Sequence, residues 1–354
     1  MSSTTSTAPA GQHLAAILPQ KGGPLSLVYR PTPQPGPGEL LIEVKAIAMN
    51  PVDHFQRDVG FLVAQYPTIL GSDVSGLVVR AGADVASDAP QPGTRVTAFA
   101  SAFWHQGEPD HGAFQQFTVV PAENVAPLPD TMSFRDACIL PMAVETALSG
   151  WYSIGLARDT QYTPEDRQGL LVWGGATSVG SAALQSAKLM GFRVYATSSP
   201  KHHEALKTWG AARVFDYHAD DVVSQIVHAA AQDGISLRLC YLAAQGGLEP
   251  SIEVLKQLKG DDGIAKIASA PLVPPDAPTV DGVEVTFVSP PEDPKQRSEH
   301  FHWVYADWLK EKLETGEFVP SPRVKVIEGG LDATNKALDE LKQGVSGTKL
   351  VIEL

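Results

Sequence analysis

The chain has 354 residues, of which 43% are hydrophobic and 19% charged, and its formal net charge is −13. This length and composition are typical of a globular protein with two domains and a sizeable core. The negative charge argues against nucleic acid or an anionic membrane as a partner, and no apolar run approaches the roughly 20 residues that span a bilayer.

The first third of the chain has the pattern of a β-rich domain. Residues 1–12 are rich in Ser, Thr and Ala and contain no apolar segment, so we expect a disordered tail and no secretory signal. Short strands separated by Gly- and Pro-rich turns are predicted at His13–Leu18, Leu25–Tyr29, Glu39–Ala48, Val74–Arg80, Arg95–Ala100 and Ala113–Val120. Several short strands in succession predict a small barrel-like domain.

A helix is predicted at Ser133–Ala147, and strands and helices alternate from Leu170 onward, which is the pattern of a parallel α/β sheet. The predicted strands are Leu170–Trp173, Arg193–Ala196, Arg213–Asp216, Leu237–Leu242, Gly263–Ala268 and Val283–Val288, and the clearest helices between them are His202–Trp209 and Val222–Ala231. The chain closes with predicted helices at His300–Glu314 and Asp332–Gln343 and a strand at Lys349–Leu354.

The most informative segment is LLVWGGATSVG at residues 170–180, an apolar strand followed by a turn of small residues and then a helical pattern. Free N–H groups and the dipole at such a helix N-terminus favour a pyrophosphate. The dinucleotide fingerprint G-x-G-x-x-G would be Gly175, Thr177 and Gly180, with threonine at the middle glycine position. Taken alone, the segment is equally compatible with a purely structural turn.

The next predicted strand ends in a segment that bears on cofactor choice. NAD-binding folds place a carboxylate about 20 residues after the glycine turn, where it accepts the ribose 2′-hydroxyl. This chain instead has TSSPKHH at residues 197–203. Hydroxyl groups and a cation suit a 2′-phosphate, so the sequence favours NADPH over NADH. The alternative is that Lys201 is an ordinary solvated lysine.

Further motifs, in their order and spacing, resemble the medium-chain dehydrogenase/reductase superfamily. They are NPVD (50–53), ILGSDVSG (69–76), PGTRV (92–96), HGAFQQF (111–117) and GVSGTKL (344–350). Within that superfamily the chain looks most like the zinc-free quinone reductases and the fungal trans-acting enoyl reductases of secondary metabolism. The resemblance implies an α/β fold with a Rossmann doubly wound parallel sheet and a GroES-like β-barrel-type catalytic domain. The implied boundaries are 13–133 with 295–354 for the catalytic domain and 134–294 for the NADPH-binding domain.

The chain departs from the zinc alcohol dehydrogenases at the positions of their metal ligands. It has Asp53 where those enzymes carry a cysteine and Gly71-Ser72-Asp73 where they carry Gly-His-Glu, and two cysteines, Cys138 and Cys240, cannot build their four-cysteine lobe. The segment HQGEPDH (105–111) has no standard zinc spacing and is interpreted as a solvated polar loop. We therefore expect no bound metal. We also expect both cysteines to be buried and reduced.

The resemblance also implies the site residues. Asn50, Asp53 and Thr146 are the catalytic candidates on the nicotinamide side, although Asn before Pro is also a common turn starter and Thr146 could serve helix packing alone. The implied cofactor-binding residues are Pro51, His54, Gly175, Ala176, Thr177, Ser178, Val179, Gly180, Ser198, Ser199, Lys201, Tyr217, Ala243, Ala244, Ala268, Ser269, Val345 and Ser346.

Without a metal to polarise an alkoxide, the favoured chemistry is hydride transfer from NADPH to an activated C=C or a quinone. The substrate is expected to be a small molecule such as a polyketide or another enone. A zinc-type alcohol dehydrogenase and a catalytically silent nucleotide-binding protein are the alternatives. We expect a cytoplasmic protein, and predict that the last strand of the Rossmann sheet, Val283–Val288, pairs across a homodimer, with a monomer as the alternative.

Overall fold

The computed structural model describes residues 9–100, 102, 104–105, 107–261 and 263–354, so most of the predicted disordered tail lies outside the described residues. The chain divides into two compact units. The first unit consists of Met1–Met142, Phe301–Thr315 and Arg323–Leu354, and the second consists of Ala143–His300 and Gly316–Pro322. Among the described helices, none is both long and apolar enough to cross a membrane.

The strands, numbered in chain order, are β1 Gln12–Leu18, β2 Ser26–Pro31, β3 Glu39–Ala48, β4 Thr68–Ile69, β5 Asp73–Ala81, β6 Arg95–Phe99, β7 Phe117–Pro121, β8 Val125–Pro127, β9 Gln168–Trp173, β10 Arg193–Ser198, β11 Arg213–Asp216, β12 Ser236–Leu242, β13 Ala265–Ser269, β14 Val283–Phe287, β15 Arg323–Val326 and β16 Thr348–Glu353. The α-helices are α1 Pro51–Val59, α2 Phe134–Ala137, α3 Pro141–Ser153, α4 Ser178–Leu189, α5 His203–Trp209, α6 Val222–Asp233, α7 Leu248–Leu258, α8 Pro294–His302, α9 Lys310–Thr315 and α10 Thr334–Gln343.

The first unit is built from two β-sheets. One has the order β2-β1-β4, and the other has the order β15-β16-β3-β5-β6-β8 with β7 also paired to β3. Most residues of the long strand β3 are buried, and its apolar side chains join one core with those of β1, β5, β6 and β16. This confirms the predicted β-rich domain.

The second unit contains one six-stranded parallel sheet in the order β11-β10-β9-β12-β13-β14. In sequence order this is 3-2-1-4-5-6, the doubly wound arrangement of dinucleotide-binding folds. The strand order reverses between β9 and β12, and ligands of such sheets bind at the carboxyl ends of the strands on either side of that switch point. The predicted last strand, β14, does lie at the edge of the sheet.

Several predicted elements were wrong in detail. The single helix predicted at Ser133–Ala147 is two helices, α2 and α3, because Pro141 begins a new helix. The long helix predicted at His300–Glu314 is interrupted by a π-helical stretch, Trp303–Leu309. Helix α1 and strand β15 were missed, and the strand predicted from Ala113 begins only at Phe117. Both cysteines are buried and free, as predicted.

Candidate functional site

The glycine turn lies at the switch point of the six-stranded sheet. Gly174 follows β9 with φ of +88°, and a Cβ added there would lie 2.6 Å from the Cβ of Ala244, which follows β12. A Cβ on Gly180 would lie 2.2 Å from the Gly174 carbonyl oxygen. Side chains at either position would therefore disturb the turn, which explains the glycines.

Thr177 takes the place of the middle fingerprint glycine and acts as the N-cap of α4. Its Oγ1 accepts the Gly180 N–H at 2.9 Å and donates to the Gly174 carbonyl at 3.0 Å. In the part of the chain that the structure describes, the N–H groups of Ser178 and Val179 make no hydrogen bond. These two donors lie at the positive end of the helix dipole, where negative charge is favoured.

The predicted residues on the neighbouring strands lie at the same edge of the sheet. Ala243 and Ala244 directly follow β12. Ala268 and Ser269 end β13, which corrects the expectation that Ser269 follows its strand. The Ser269 hydroxyl donates to the Pro271 carbonyl at 2.8 Å and so stabilises the loop.

The residues predicted near a 2′-phosphate lie at the ends of the adjacent strands β10 and β11. Ser198 is paired with Asp216 in the sheet register, Ser199 and Lys201 follow Ser198 in the chain, and Tyr217 follows Asp216. Lys201 and Tyr217 are exposed. Sequence reasoning missed Asp216, whose carboxylate accepts hydrogen bonds from the backbone and ring of His218; these bonds lower its pKa.

In the first unit, the Asn-Pro-Val-Asp motif begins α1. Asn50 is the N-cap, Pro51 occupies the first helical position, and the Asn50 N–H donates to Asp53 Oδ2 at 2.7 Å. Asp53 is fully buried, and its Oδ1 has no partner among the described residues. Burial, followed by the nearby Asp73 carboxylate, raises the pKa of Asp53 to about 7. His54 is half-buried, with its ring against Phe55.

Lys349, which sequence reasoning did not single out, completes a polar network around Asn50. Its Nζ donates to Asn50 Oδ1 at 2.5 Å and lies 3.2 Å from Asp73 Oδ2. Asp73 also accepts from Asn50 Nδ2 at 2.9 Å and from the Met142 N–H at 2.7 Å. All three side chains are buried.

The predicted Val345 and Ser346 lie exposed in the turn that leads to β16 and Lys349.

Thr146 lies in the second unit, half-exposed on α3. Its carbonyl accepts the Tyr241 hydroxyl at 2.6 Å. One turn further on, a Cβ on Gly150 would lie 2.3 Å from the Tyr241 ring. The helix is therefore held against β12 at the position of Thr146.

The segment at 105–111 differs from the predicted solvated loop. His111 is buried, and its Nε2 lies 3.0 Å from Oε1 of Glu39 on β3. The His105 and His111 rings stack in parallel with centroids 3.7 Å apart, and ligand atoms of these three residues lie within 4.8 Å of one another. Imidazole lone pairs lie in the ring plane, so one ion cannot lie in the planes of both stacked rings. The absence of a bound metal stays a prediction.

Comparison with known proteins agrees with this fold. Residues 36–130 match the family described as alcohol dehydrogenase GroES-like domain, and residues 178–259 match the family described as zinc-binding dehydrogenase. A sheet of this order with a glycine turn at its switch point, together with a GroES-like unit, defines a dehydrogenase/reductase of the medium-chain type.

Curated relatives define the branch. The trans-enoyl reductase tndF of Aspergillus flavipes is 52% identical over 98% of this chain and 100% of its own length. The trans-enoyl reductase tazE of Aspergillus terreus is 50% identical over 80% of this chain and 93% of its own length. The chain therefore belongs to the medium-chain dehydrogenase/reductase superfamily, in its branch of fungal trans-enoyl reductases.

Solved structures share the fold at low sequence identity. An alcohol dehydrogenase superfamily protein from Novosphingobium aromaticivorans has a TM-score of 0.78 at 22% identity, covering 97% of this chain and 99% of its own. The mycobacterial protein Rv1454c, solved in complex with NADPH, has a TM-score of 0.72 at 24% identity, and the match covers 97% of this chain and 100% of its own.

Proposed function

We propose that this protein is a zinc-independent, NADPH-dependent enoyl reductase that acts on an activated C=C of a small molecule, such as a polyketide or another enone. The identity of about half of all residues with two trans-enoyl reductases supports the reaction class. A quinone is the second candidate acceptor, because it takes a hydride in the same way without needing a metal.

The observation that carries the proposal is the buried lysine beside Asn50 and Asp73. In zinc alcohol dehydrogenases this region supplies metal ligands, but here Asp73 already accepts hydrogen bonds from Met142, Asn50 and Lys349. Zinc prefers Cys and His ligands, and a buried ammonium group repels a divalent cation. The residues present therefore do not fit a catalytic zinc, which disfavours the oxidation of an alcohol.

The residues of the second unit do fit a dinucleotide. The N–H groups of Ser178 and Val179, which make no hydrogen bond to the described residues, would bind the pyrophosphate, and the glycines at 174, 175 and 180 let its phosphates approach the backbone. NADPH, when bound, supplies the hydride. The residues of this chain then have to orient the nicotinamide, and in the second unit we assign this role to Thr146.

Preference for NADPH is proposed from the ends of β10 and β11. Ser198, Ser199 and Tyr217 offer hydroxyl groups there, and Lys201 offers an exposed cation. Asp216 is the one carboxylate of β11 and is held by His218, which limits its use as a partner for a ribose hydroxyl.

The proposal is tested by following cofactor oxidation with the purified protein. We expect NADPH to be consumed with an α,β-unsaturated thioester or ketone, and no NADP⁺ reduction with simple alcohols, before and after treatment with a chelator. Consumption with quinones but not enoyl thioesters would favour the second candidate acceptor. Cofactor binding without turnover on any acceptor would indicate the catalytically silent alternative.

A further inference from the structure

Helix α3 carries a buried polar cluster that the proposed mechanism does not use. Ser149 Oγ donates to Glu145 Oε1 at 2.6 Å and lies 3.0 Å from Nε2 of His300. All three side chains are buried. A buried carboxylate is costly unless hydrogen bonds satisfy it, so the position of Glu145 depends on these neighbours.

The hydrogen bonds that link Arg158, His300 and Ser149 run towards Glu145. Arg158 NH2 lies 3.3 Å from His300 Nδ1, and because a guanidinium can only donate, Nδ1 is the acceptor. Burial, followed by the charge of Arg158, lowers the pKa of His300 to about 4, so the ring is neutral near pH 7 and carries its proton on Nε2. That proton is donated to Ser149, whose own proton is donated to Glu145.

The second oxygen of Glu145 faces Thr146. Glu145 Oε2 lies 3.4 Å from Thr146 Oγ1, while Oε1 is occupied by Ser149. An ionised carboxylate only accepts hydrogen bonds, so the Thr146 hydroxyl directs its proton to Glu145 and keeps its lone pairs for a ligand. Thr146 is half-exposed, and its backbone carbonyl accepts the Tyr241 hydroxyl, which holds this turn of the helix in place.

We propose that Glu145 is a positioning residue that makes the Thr146 hydroxyl an obligatory acceptor for the carboxamide N–H of the nicotinamide, and that Ser149, His300 and Arg158 hold Glu145 in this role. The inference rests on the proposed function, in which Thr146 faces the nicotinamide. A hydroxyl that rotated freely could also donate to the carboxamide oxygen. With Glu145 in place, one orientation of the carboxamide is selected.

The test compares two dinucleotides that differ only in this donor. NADP⁺ carries the carboxamide, whereas its 3-acetylpyridine analogue carries a methyl ketone that cannot donate. Binding of each is measured by calorimetry for the wild-type protein and for Glu145→Gln, which keeps the shape but can donate to Thr146. We expect Glu145→Gln to weaken NADP⁺ roughly fivefold, the size of one hydrogen bond, and to leave the analogue unchanged.

Ser149→Ala gives a second route to the same question if Glu145→Gln does not fold. It keeps the carboxylate but removes the bond at 2.6 Å and the link to His300, so the same selective loss is expected. Ser153→Ala is the matched control. It removes a serine hydroxyl from the same helix, one turn further on, where the partners are the Ser149 and Ser289 carbonyls, and should affect neither dinucleotide.

Two outcomes overturn the inference while leaving the proposed function intact. An equal loss for both dinucleotides would mean that Glu145 supports the helix and not the hydroxyl, and no loss for either would mean that the orientation of Thr146 is set elsewhere. If the wild-type protein binds neither dinucleotide, the proposed function fails and the inference fails with it.

Discussion

Replacing Lys349 by methionine should strongly destabilise the first unit. The ammonium group lies 3.2 Å from Asp73 Oδ2, and the two side chains are only 5% and 0% exposed. Removing one partner of such a buried pair leaves an uncompensated charge, which costs roughly 3–5 kcal/mol. Asn50 Oδ1 also loses its donor at 2.5 Å. We expect the free energy of unfolding to fall by about 3–5 kcal/mol.

Lys342→Met is the matched control, because it breaks a lysine–aspartate pair at the surface of the same unit. Lys342 Nζ lies 2.8 Å from Asp58 Oδ2, but the side chains are 58% and 23% exposed. Exposed pairs contribute about 0–1 kcal/mol. The two substitutions therefore separate the effect of burial from that of losing a lysine.

Urea unfolding followed by circular dichroism, at one pH and salt concentration, measures all variants. The double variant with Lys349→Met and Asp73→Asn should recover part of the lost stability, since it removes the uncompensated charge together with its partner. The reasoning is refuted if Lys349→Met costs no more than Lys342→Met, or if the losses from Lys349→Met and Asp73→Asn simply add.

Further predictions concern Asp53, cofactor choice, the metal and the assembly. Folding raises the pKa of Asp53 from 3.8 to about 7, so between these pH values the folded state binds a proton that the unfolded state does not. The free energy of unfolding should therefore fall as the pH rises from about 4 to about 7. Asp53→Asn, which can still accept the Asn50 N–H, should flatten this pH dependence. Lys201→Ala should weaken NADPH roughly tenfold and leave NADH nearly unchanged, since NADH has no 2′-phosphate to lose. Elemental analysis should find no stoichiometric zinc, and activity should survive chelation. Light scattering should give the mass of a homodimer, which we expect to form through the edge strand β14.

Each of these predictions has a result that contradicts it. A pH slope that Asp53→Asn leaves intact would place the proton elsewhere. An equal loss of NADPH and NADH on Lys201→Ala would mean that the lysine acts through structure. One tightly bound zinc per chain would refute the metal-free site, and a mass near 37.7 kDa in solution would favour the monomer.

The local sequence determined the parts of this protein that depend on neighbouring residues. The glycine turn with the strand before it and the helix after it, and the alternation of strands and helices from Leu170, are short-range patterns. The cap formed by Asn50 and Asp53 is also local, but the helix that it begins, α1, was missed. Glycines, apolar runs and capping residues restrict the backbone wherever they occur, so their structure could be predicted. The interruption of the helix after His302 has no comparable local signal, and it was missed.

Tertiary structure alone decided which side chains meet around these patterns. Lys349 and Asn50 are separated by 299 positions, and they meet because β3 pairs with β16 on one side and with β5 on the other. Ala48 is opposite Val351 in one pair and Asp73 in the other, so the residues just beyond Ala48 lie between Lys349 and Asp73. Glu39 and His111, which are 72 positions apart, are likewise brought into contact only by the fold. Sheet register fixes such contacts, and a register is a property of the assembled strands rather than of any one segment.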